Sequence, residues 1–119
     1  MPVNSSFWRG ENKTLITQLK EKTIALPRLN KLSPTLESTA LKLMEEAGEL
    51  AQAIGKLRGL SGESCLENTK VVMEKITREL LDVAQTAVSM MFVLEEQYGI
   101  NIETAVDAHI KKLAAKGYL

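Results

Sequence analysis

The sequence predicts an all-α fold, a bundle of four helices, and three observations lead to this class. Apolar residues recur at the i, i+3, i+4, i+7 spacing of amphipathic helices along most of the chain. No segment shows the period-2 alternation of a half-buried strand, and no hairpin-turn dipeptide occurs. All three prolines precede residue 35, so none interrupts a helix beyond that point. The length of 119 residues suits a single domain, 1–119.

The first predicted helix covers about residues 11–25, with Leu19 and Ile24 in its apolar stripe, and ends before Pro27. Residue 27 begins a loop that leads to the second predicted helix.

The second predicted helix covers about residues 34–58, with Ser33 as its expected N-cap and Pro34 at its first helical position. Its predicted apolar face contains nine residues: Leu36, Ala40, Leu43, Met44, Ala47, Leu50, Ala51, Ile54 and Leu57. Glu46 falls at the edge of this face, Glu49 lies further round the helix, and Glu45 points away, as does Lys42.

The third predicted helix covers about residues 66–97 and is closed by Gly99. Its segment 80–94 is apolar on nearly all sides, which a lone four-helix unit rarely covers. We therefore expect a homodimer or a dimer of dimers that buries this segment. A fourth helix is predicted over about 102–116, with five apolar residues turned inward: Ile102, Ala105, Val106, Ile110 and Leu113.

Composition excludes several classes of protein. Fifteen basic side chains balance fifteen acidic ones, so no nucleic acid polymer or membrane surface is expected as a partner. Cys65 is the only cysteine, which rules out an intrachain disulfide and a zinc site built on cysteines. The apolar run 80–94 contains Asp82 and is too short to span a bilayer. We expect a cytoplasmic protein.

Two acidic pairs with i, i+3 spacing are the candidate functional residues: Glu46 with Glu49, and Glu79 with Asp82. A carboxylate in apolar surroundings, as expected for Asp82, costs much free energy unless it is paired or bound to a metal. Four carboxylates facing one cleft would form a site of hard oxygen ligands, which favours Mg²⁺ or Mn²⁺ over zinc or copper. Solvated helix faces also carry such pairs, and Lys75 or Arg78 would serve as an alternative counter-ion in a purely structural ion-pair cluster.

The absence of other motifs narrows the chemistry. A di-iron bundle needs two Glu-x-x-His motifs, and the chain has one histidine, His109, which follows neither pair. Neither a phosphate-binding P-loop motif nor a G-x-S-x-G motif is present. Because Mg²⁺ commonly takes substrate phosphates as further ligands, the pattern favours cleavage of a phosphate ester or phosphoanhydride.

The residues E-E-A-G-E at 45–49 and E-L-L-D at 79–82 resemble the E-E-x-x-E … E-x-x-D signature of the MazG-like nucleoside triphosphate pyrophosphohydrolases, which are all-α proteins. The resemblance extends over about residues 33–117. It implies a Mg²⁺-dependent enzyme that splits a nucleoside triphosphate into a monophosphate and pyrophosphate. Matched to the signature, the metal ligands would be Glu46, Glu49, Glu79 and Asp82, and Glu46 and Glu49 would also act in catalysis.

Two features depart from the family pattern. The 29 residues between Glu49 and Glu79 form a long gap, and His109 and Leu113 occupy the positions where family members often carry a phosphate-binding lysine and asparagine. Lys112 and Lys116, together with Lys111, are therefore candidates for phosphate binding. Independently of this departure, Gln85 is a candidate for contact with the base or sugar, and Trp8 for stacking on the base. Two other functions remain open, a non-catalytic interaction module with a structural acidic cluster and a hydrolase of another phosphorylated substrate.

Overall fold

The computed structural model describes residues 19–59 and 69–119. This part of the chain contains three α-helices and no strand, which confirms the all-α class. Helix α1 spans Leu36–Leu57, α2 spans Thr69–Tyr98 and α3 spans Ile102–Ala115. They correspond to the second, third and fourth predicted helices, with ends that differ by three residues or fewer.

The first predicted helix is wrong over the residues that can be judged. Residues 11–18 lie outside the described part of the chain, and residues 19–25 are not helical. Ile24, expected in the apolar stripe, is 58% exposed. The segment carries a run of charged residues followed by β-branched Thr23 and Ile24, which are poor helix formers, so little burial is available to stabilise a helix there.

The described residues belong to two compact units. One unit runs from Leu26 to Ile100 and contains α1 and α2, which pack against each other. The other combines the residues before Leu26 with Asn101–Leu119 and contains α3. In α3, Ile102, Ile110 and Leu113 are half-buried as predicted, whereas Ala105 and Val106 are exposed. An amphipathic pattern identifies a helix, but it does not specify what covers each apolar position.

A reciprocal pair of hydrogen bonds starts helix α1. The Thr35 hydroxyl accepts from the Ser38 backbone N–H at 3.0 Å, and the Ser38 hydroxyl oxygen accepts from the Thr35 N–H at 2.8 Å. This capping box satisfies two backbone donors at once. The N-cap is therefore Thr35, and the predicted cap Ser33 is wrong because it cannot form this reciprocal pair.

The buried face of α1 is rotated relative to its apolar stripe. The face toward α2 follows two rows with heptad spacing, one of leucines and one made of Thr39, Glu46 and Ala53. Glu46, predicted at the edge, lies at the centre of this face and is 7% exposed. Met44, predicted inward, is 73% exposed, and Ile54 is 40% exposed. One apolar side of α1 therefore remains uncovered within the described chain.

Helix α2 also presents a buried row with heptad spacing. Val72, Thr86 and Val93 are buried in one row, and Glu79 occupies the remaining position of that row and is half-buried. The segment 80–94, expected to be apolar and covered on all sides, is not covered on all sides within the chain. Leu80 and Met91 are exposed, and so is Asp82.

Residues 26–35 form a non-helical segment, here called the strap, that is attached to α2 by side chains of that helix. The Arg28 guanidinium donates two hydrogen bonds to the Glu96 carboxylate, each of 2.8 Å. The amide groups of Gln85 and Gln97 donate to the carbonyl oxygens of Pro27, at 2.8 Å, and Pro34, at 3.1 Å. Gln85 and Gln97 are about 18 Å apart along the helix axis, so the strap is held at both ends.

A glycine with positive φ follows each of the three described helices, and Gly59, at φ 70°, follows α1. Gly99, at φ 67°, follows α2 in the predicted capping role. Gly117, at φ 81°, ends α3 in a Schellman motif in which the Tyr118 N–H donates to the Leu113 carbonyl oxygen at 3.0 Å. No helix in the described ranges is long and apolar enough to cross a membrane.

The capping box predicts how stability responds to substitution. We expect Thr35→Ala to lower the free energy of unfolding by about 1 kcal/mol, because a backbone donor loses its side-chain acceptor. Chemical denaturation monitored by circular dichroism measures this change. The matched control is Ser33→Ala, for which we expect almost no change. Equal losses for the two variants would contradict Thr35 as the N-cap.

Candidate metal centre

Three carboxylates converge where the heptad rows of α1 and α2 meet. Glu46, Glu79 and Asp82 each offer one oxygen, and these three atoms lie within 4.8 Å of one another. Cation–oxygen distances of about 2.1 to 2.4 Å put opposite ligands about 4.2 to 4.8 Å apart, so the spacing suits Mg²⁺, Mn²⁺ or Ca²⁺. These three residues, taken together, are called the carboxylate cluster below.

Two oxygen atoms of the cluster are buried without a hydrogen-bond partner in the described structure. These are Glu46 Oε2 and Glu79 Oε2. A buried acceptor without a donor is costly, and the cost is larger when the group is charged. Since carboxylate oxygens accept but do not donate, the two groups cannot satisfy each other while both are ionised. A cation held by these residues would offset the buried negative charge, so the residues present fit a divalent metal.

The i, i+3 spacing has a direct structural meaning in each helix. The first member of each pair, Glu46 or Glu79, occupies a heptad row between the helices, and the second member, Glu49 or Asp82, is exposed. The buried members therefore form the floor of the centre, and the exposed members form its rim. Sequence reasoning expected Asp82 to be the carboxylate in apolar surroundings, whereas Glu46 is the most buried of the four.

Glu49 does not contribute to the three converging oxygens, but the charges of two cluster residues, Glu46 and Glu79, act on it. The negative charge of Glu46 raises the pKa of Glu49, and burial, a hydrogen bond with Glu46 and the charges of Glu79 and Glu45 act in the same direction. Like charges at this spacing disfavour ionisation. The structure thus brings together three of the four predicted ligands and puts the fourth beside them.

Lys42 is the cation adjacent to the cluster on α1. Its Nζ lies 3.1 Å from Glu46 Oε1 and 3.7 Å from Glu45 Oε1. The hydrogen bond to Glu46 and the charges of Glu45 and Glu46 raise the pKa of Lys42, so it stays protonated. The sequence analysis placed Lys42 on the solvated side. Its i, i+4 spacing to Glu46 is the signal that could have identified it.

An open groove of about 880 Å³ adjoins the cluster. Its walls come from the strap, from the first turns of α1 and from α2, and Lys42, Glu46 and Asp82 line one part of it. Leu29, Leu32, Phe92 and Val93 add apolar surface. Its volume lies in the range of small-molecule sites, which combine apolar walls with a few polar groups.

Among these polar groups, the Ser89 hydroxyl is buried and has no hydrogen-bond partner in the described residues. Gln85, a predicted substrate contact, also lines the groove, but its amide N–H already holds the strap. The sequence analysis assigned no role to Arg28, which lines the groove while paired with Glu96.

The other predicted substrate-binding residues lie elsewhere in the chain. Lys112 is in the last turn of α3, and Lys116 is its C-cap, donating its backbone N–H to the Lys112 carbonyl oxygen at 3.0 Å. Their contact with phosphate stays a prediction. Trp8 lies outside the described residues.

Comparison with known proteins agrees with this geometry. The profile of the MazG nucleotide pyrophosphohydrolase domain matches residues 34–116, which contain all three helices and the carboxylate cluster. No curated protein and no solved structure matches the chain at a significant level of similarity. The match covers more than half of the chain and confirms the resemblance seen in the two acidic motifs. The chain therefore belongs to the MazG nucleotide pyrophosphohydrolase domain family.

Proposed function

We propose that this protein is a Mg²⁺-dependent nucleoside triphosphate pyrophosphohydrolase that converts a ribo- or deoxyribonucleoside triphosphate into the monophosphate and pyrophosphate. The observation that carries the proposal is the pair of buried, unpartnered oxygens, Glu46 Oε2 and Glu79 Oε2, within the carboxylate cluster. The domain match supplies the substrate class. The groove beside the cluster has room for a nucleoside.

Glu46, Glu79 and Asp82 would hold the cation, with Glu49 completing the set from the rim. Bound Mg²⁺ supplies polarisation of the phosphoryl oxygens and a lower pKa for a bound water. Mn²⁺ has the same preference for oxygen ligands and would substitute.

The residues of the chain have separate tasks in the proposed reaction. Water adds to one phosphorus of the α–β anhydride, the bridging P–O bond breaks, and that oxygen leaves with the electron pair. Glu49 lies beside the cluster and is exposed, so it would accept the proton of the attacking water. Glu46 is buried and paired with Lys42, so its carboxylate would keep a fixed orientation and would have little contact with solvent.

The first prediction concerns products and turnover. We expect release of monophosphate and pyrophosphate from a panel of nucleoside triphosphates only when Mg²⁺ or Mn²⁺ is present. Glu49→Gln and Asp82→Asn should each lower turnover by at least about a hundredfold, because each removes a charge next to the reacting phosphates. Ion-exchange chromatography of the products and initial rates measure both effects.

The matched control is Glu45→Gln, which removes a carboxylate next to Glu46 that is outside the cluster. We expect only a small loss for this variant. The proposal fails if the products are diphosphate and phosphate, or if folded Glu49→Gln and Asp82→Asn keep full activity.

The second prediction concerns the metal. Mg²⁺ or Mn²⁺ at millimolar concentration should raise the melting temperature, because a ligand that binds only the native state stabilises it. Glu46→Gln and Asp82→Asn should remove most of this response. In EDTA, Glu46→Gln should melt at a higher temperature than the unsubstituted protein, since it removes one of the mutually repelling charges.

Differential scanning fluorimetry with and without EDTA makes this measurement, and Glu45→Gln again serves as the control that keeps the metal response. A melting temperature that does not change with either cation would argue against a metal centre.

The third prediction concerns assembly. We propose that the protein is a homodimer or a dimer of dimers with α2 in the interface. Met73, Leu80 and Met91 are 42%, 51% and 41% exposed. At about 100° per residue they lie within about 20° of one another, so they form one apolar stripe. Such a stripe on a small domain is typical of an interaction surface.

Multi-angle light scattering at micromolar concentration tests this assembly. We expect at least twice the mass of one chain, and a shift toward the monomer for Leu80→Lys. The control Glu74→Lys introduces the same side chain at an exposed position of α2 and should leave the assembly unchanged. A monodisperse monomer for the unsubstituted protein would contradict the proposal.

A further inference from the structure

The proposed metal centre needs a further positive charge to bind a nucleoside triphosphate, and the carboxylates cannot supply it. Glu46, Glu79 and Asp82 carry three negative charges, and one divalent cation offsets two of them. A nucleoside triphosphate brings several further negative charges to the same place. Since like charges repel strongly where water is partly excluded, the groove needs a cation of its own to bind this substrate.

Two described residues that line the groove carry positive charge, Arg28 and Lys42. The Arg28 guanidinium is paired with the Glu96 carboxylate by two hydrogen bonds of 2.8 Å and fastens the strap to α2. Lys42 has no such second task. Its closest partner is Oε1 of Glu46, a residue of the carboxylate cluster.

The Lys42 ammonium also has donors to spare. It offers three N–H groups, and Glu46 Oε1 at 3.1 Å takes one of them. Glu45 Oε1 at 3.7 Å is beyond ordinary hydrogen-bond distance. The side chain is 54% exposed, so a ligand in the groove can reach it.

The pair with Glu46 contributes little to the helix. A lysine placed four residues before a glutamate is the weaker order of such helix pairs. Helix stability therefore does not account for a lysine next to the metal centre.

We propose that Lys42 binds a phosphate of the substrate and neutralises the charge that the metal leaves uncompensated. This inference rests on the proposed function and assigns a phosphate-binding residue to it. A cation held by Glu46 would weaken the attraction between Glu46 and Lys42. The Lys42 ammonium would then turn to the phosphate oxygens while its stem stays on α1.

Isothermal titration calorimetry with two ligands tests the proposal. The first ligand is Mn²⁺ alone, and the second is the set of α,β-imido analogues of the four deoxynucleoside triphosphates, titrated in the presence of Mn²⁺. We expect Lys42→Met to weaken binding of the analogue by at least about tenfold, since a charge-assisted hydrogen bond is lost. Binding of Mn²⁺ alone should stay the same or tighten, because a neighbouring positive charge is gone. Lys42→Arg should recover most of the affinity for the analogue.

The different effects of Lys42→Met on binding of the analogue and of Mn²⁺ alone distinguish phosphate binding from a role in orienting Glu46. If Lys42 only orients Glu46, Lys42→Met weakens Mn²⁺ binding as well, and the proposal is overturned. The matched control is Lys56→Met, which removes the same charge from α1 outside the groove and should change neither affinity. If the unsubstituted protein binds Mn²⁺ and the analogue but Lys42→Met binds both equally well, only the role of Lys42 falls. If the unsubstituted protein binds neither, the proposed function falls with it.

A measurement on the unsubstituted protein complements the variants. Acetylation with a water-soluble succinimidyl ester, followed by mass spectrometry of peptides, reports the accessibility of each lysine. We expect Mn²⁺ with the analogue to protect Lys42 and to leave Lys56 reactive, whereas Mn²⁺ alone should not protect Lys42. Equal modification of Lys42 with and without the analogue would overturn the proposal.

Discussion

Two glutamates occupy positions between helices that the rest of the unit fills with apolar or small side chains, and the unit depends on how their charge is balanced. Glu46 is flanked along its row by Thr39 and Ala53, and Glu79 follows Val72 in the row on α2. Their repulsion is on the order of a few kcal/mol where water is partly excluded. Lys42 engages Oε1 of Glu46, whereas Oε2 is buried without a hydrogen-bond partner among the described residues. The two helices thus carry an electrostatic cost that a bound cation, under the proposed function, would offset.

The same arrangement explains the order of residues within each motif. A residue in a heptad row is held by packing between the helices, whereas an exposed residue is open to solvent. Each motif supplies one residue of each kind, three residues apart, so that a fixed carboxylate and an accessible carboxylate come from neighbouring turns. In the proposed enzyme, the exposed Glu49 and Asp82 would be accessible to the substrate, while Glu46 and Glu79 would fix the geometry.

Periodicity and turn chemistry predicted most of the fold from the sequence. The three described helices, the capping role of Gly99 and the two acidic motifs follow from local patterns. The buried face of α1 did not, because an apolar count assigns the carboxylate of Glu46 to the edge, whereas the packing on α2 puts it at the centre. Lys42 was not linked to the cluster although its i, i+4 spacing to Glu46 is a local signal, and Arg28 was not recognised because its partner Glu96 lies 68 residues away in the chain. Residues 19–25 are not helical, which shows that a narrow apolar stripe does not predict a helix unless another surface covers the stripe.

The strap has a consequence for how such a protein can change over evolutionary time. It forms one wall of the groove, yet it contributes none of the carboxylates, and α2 holds it through Gln85, Glu96 and Gln97. Two of these contacts are made to backbone carbonyl oxygens, which any residue at those strap positions provides. The side chains of Leu29 and Leu32 can therefore vary without loss of these two anchors. In the proposed enzyme, the strap and the metal ligands belong to separate stretches of the chain, so a new ligand preference would arise by substitution in the ten strap residues while the metal ligands stay unchanged.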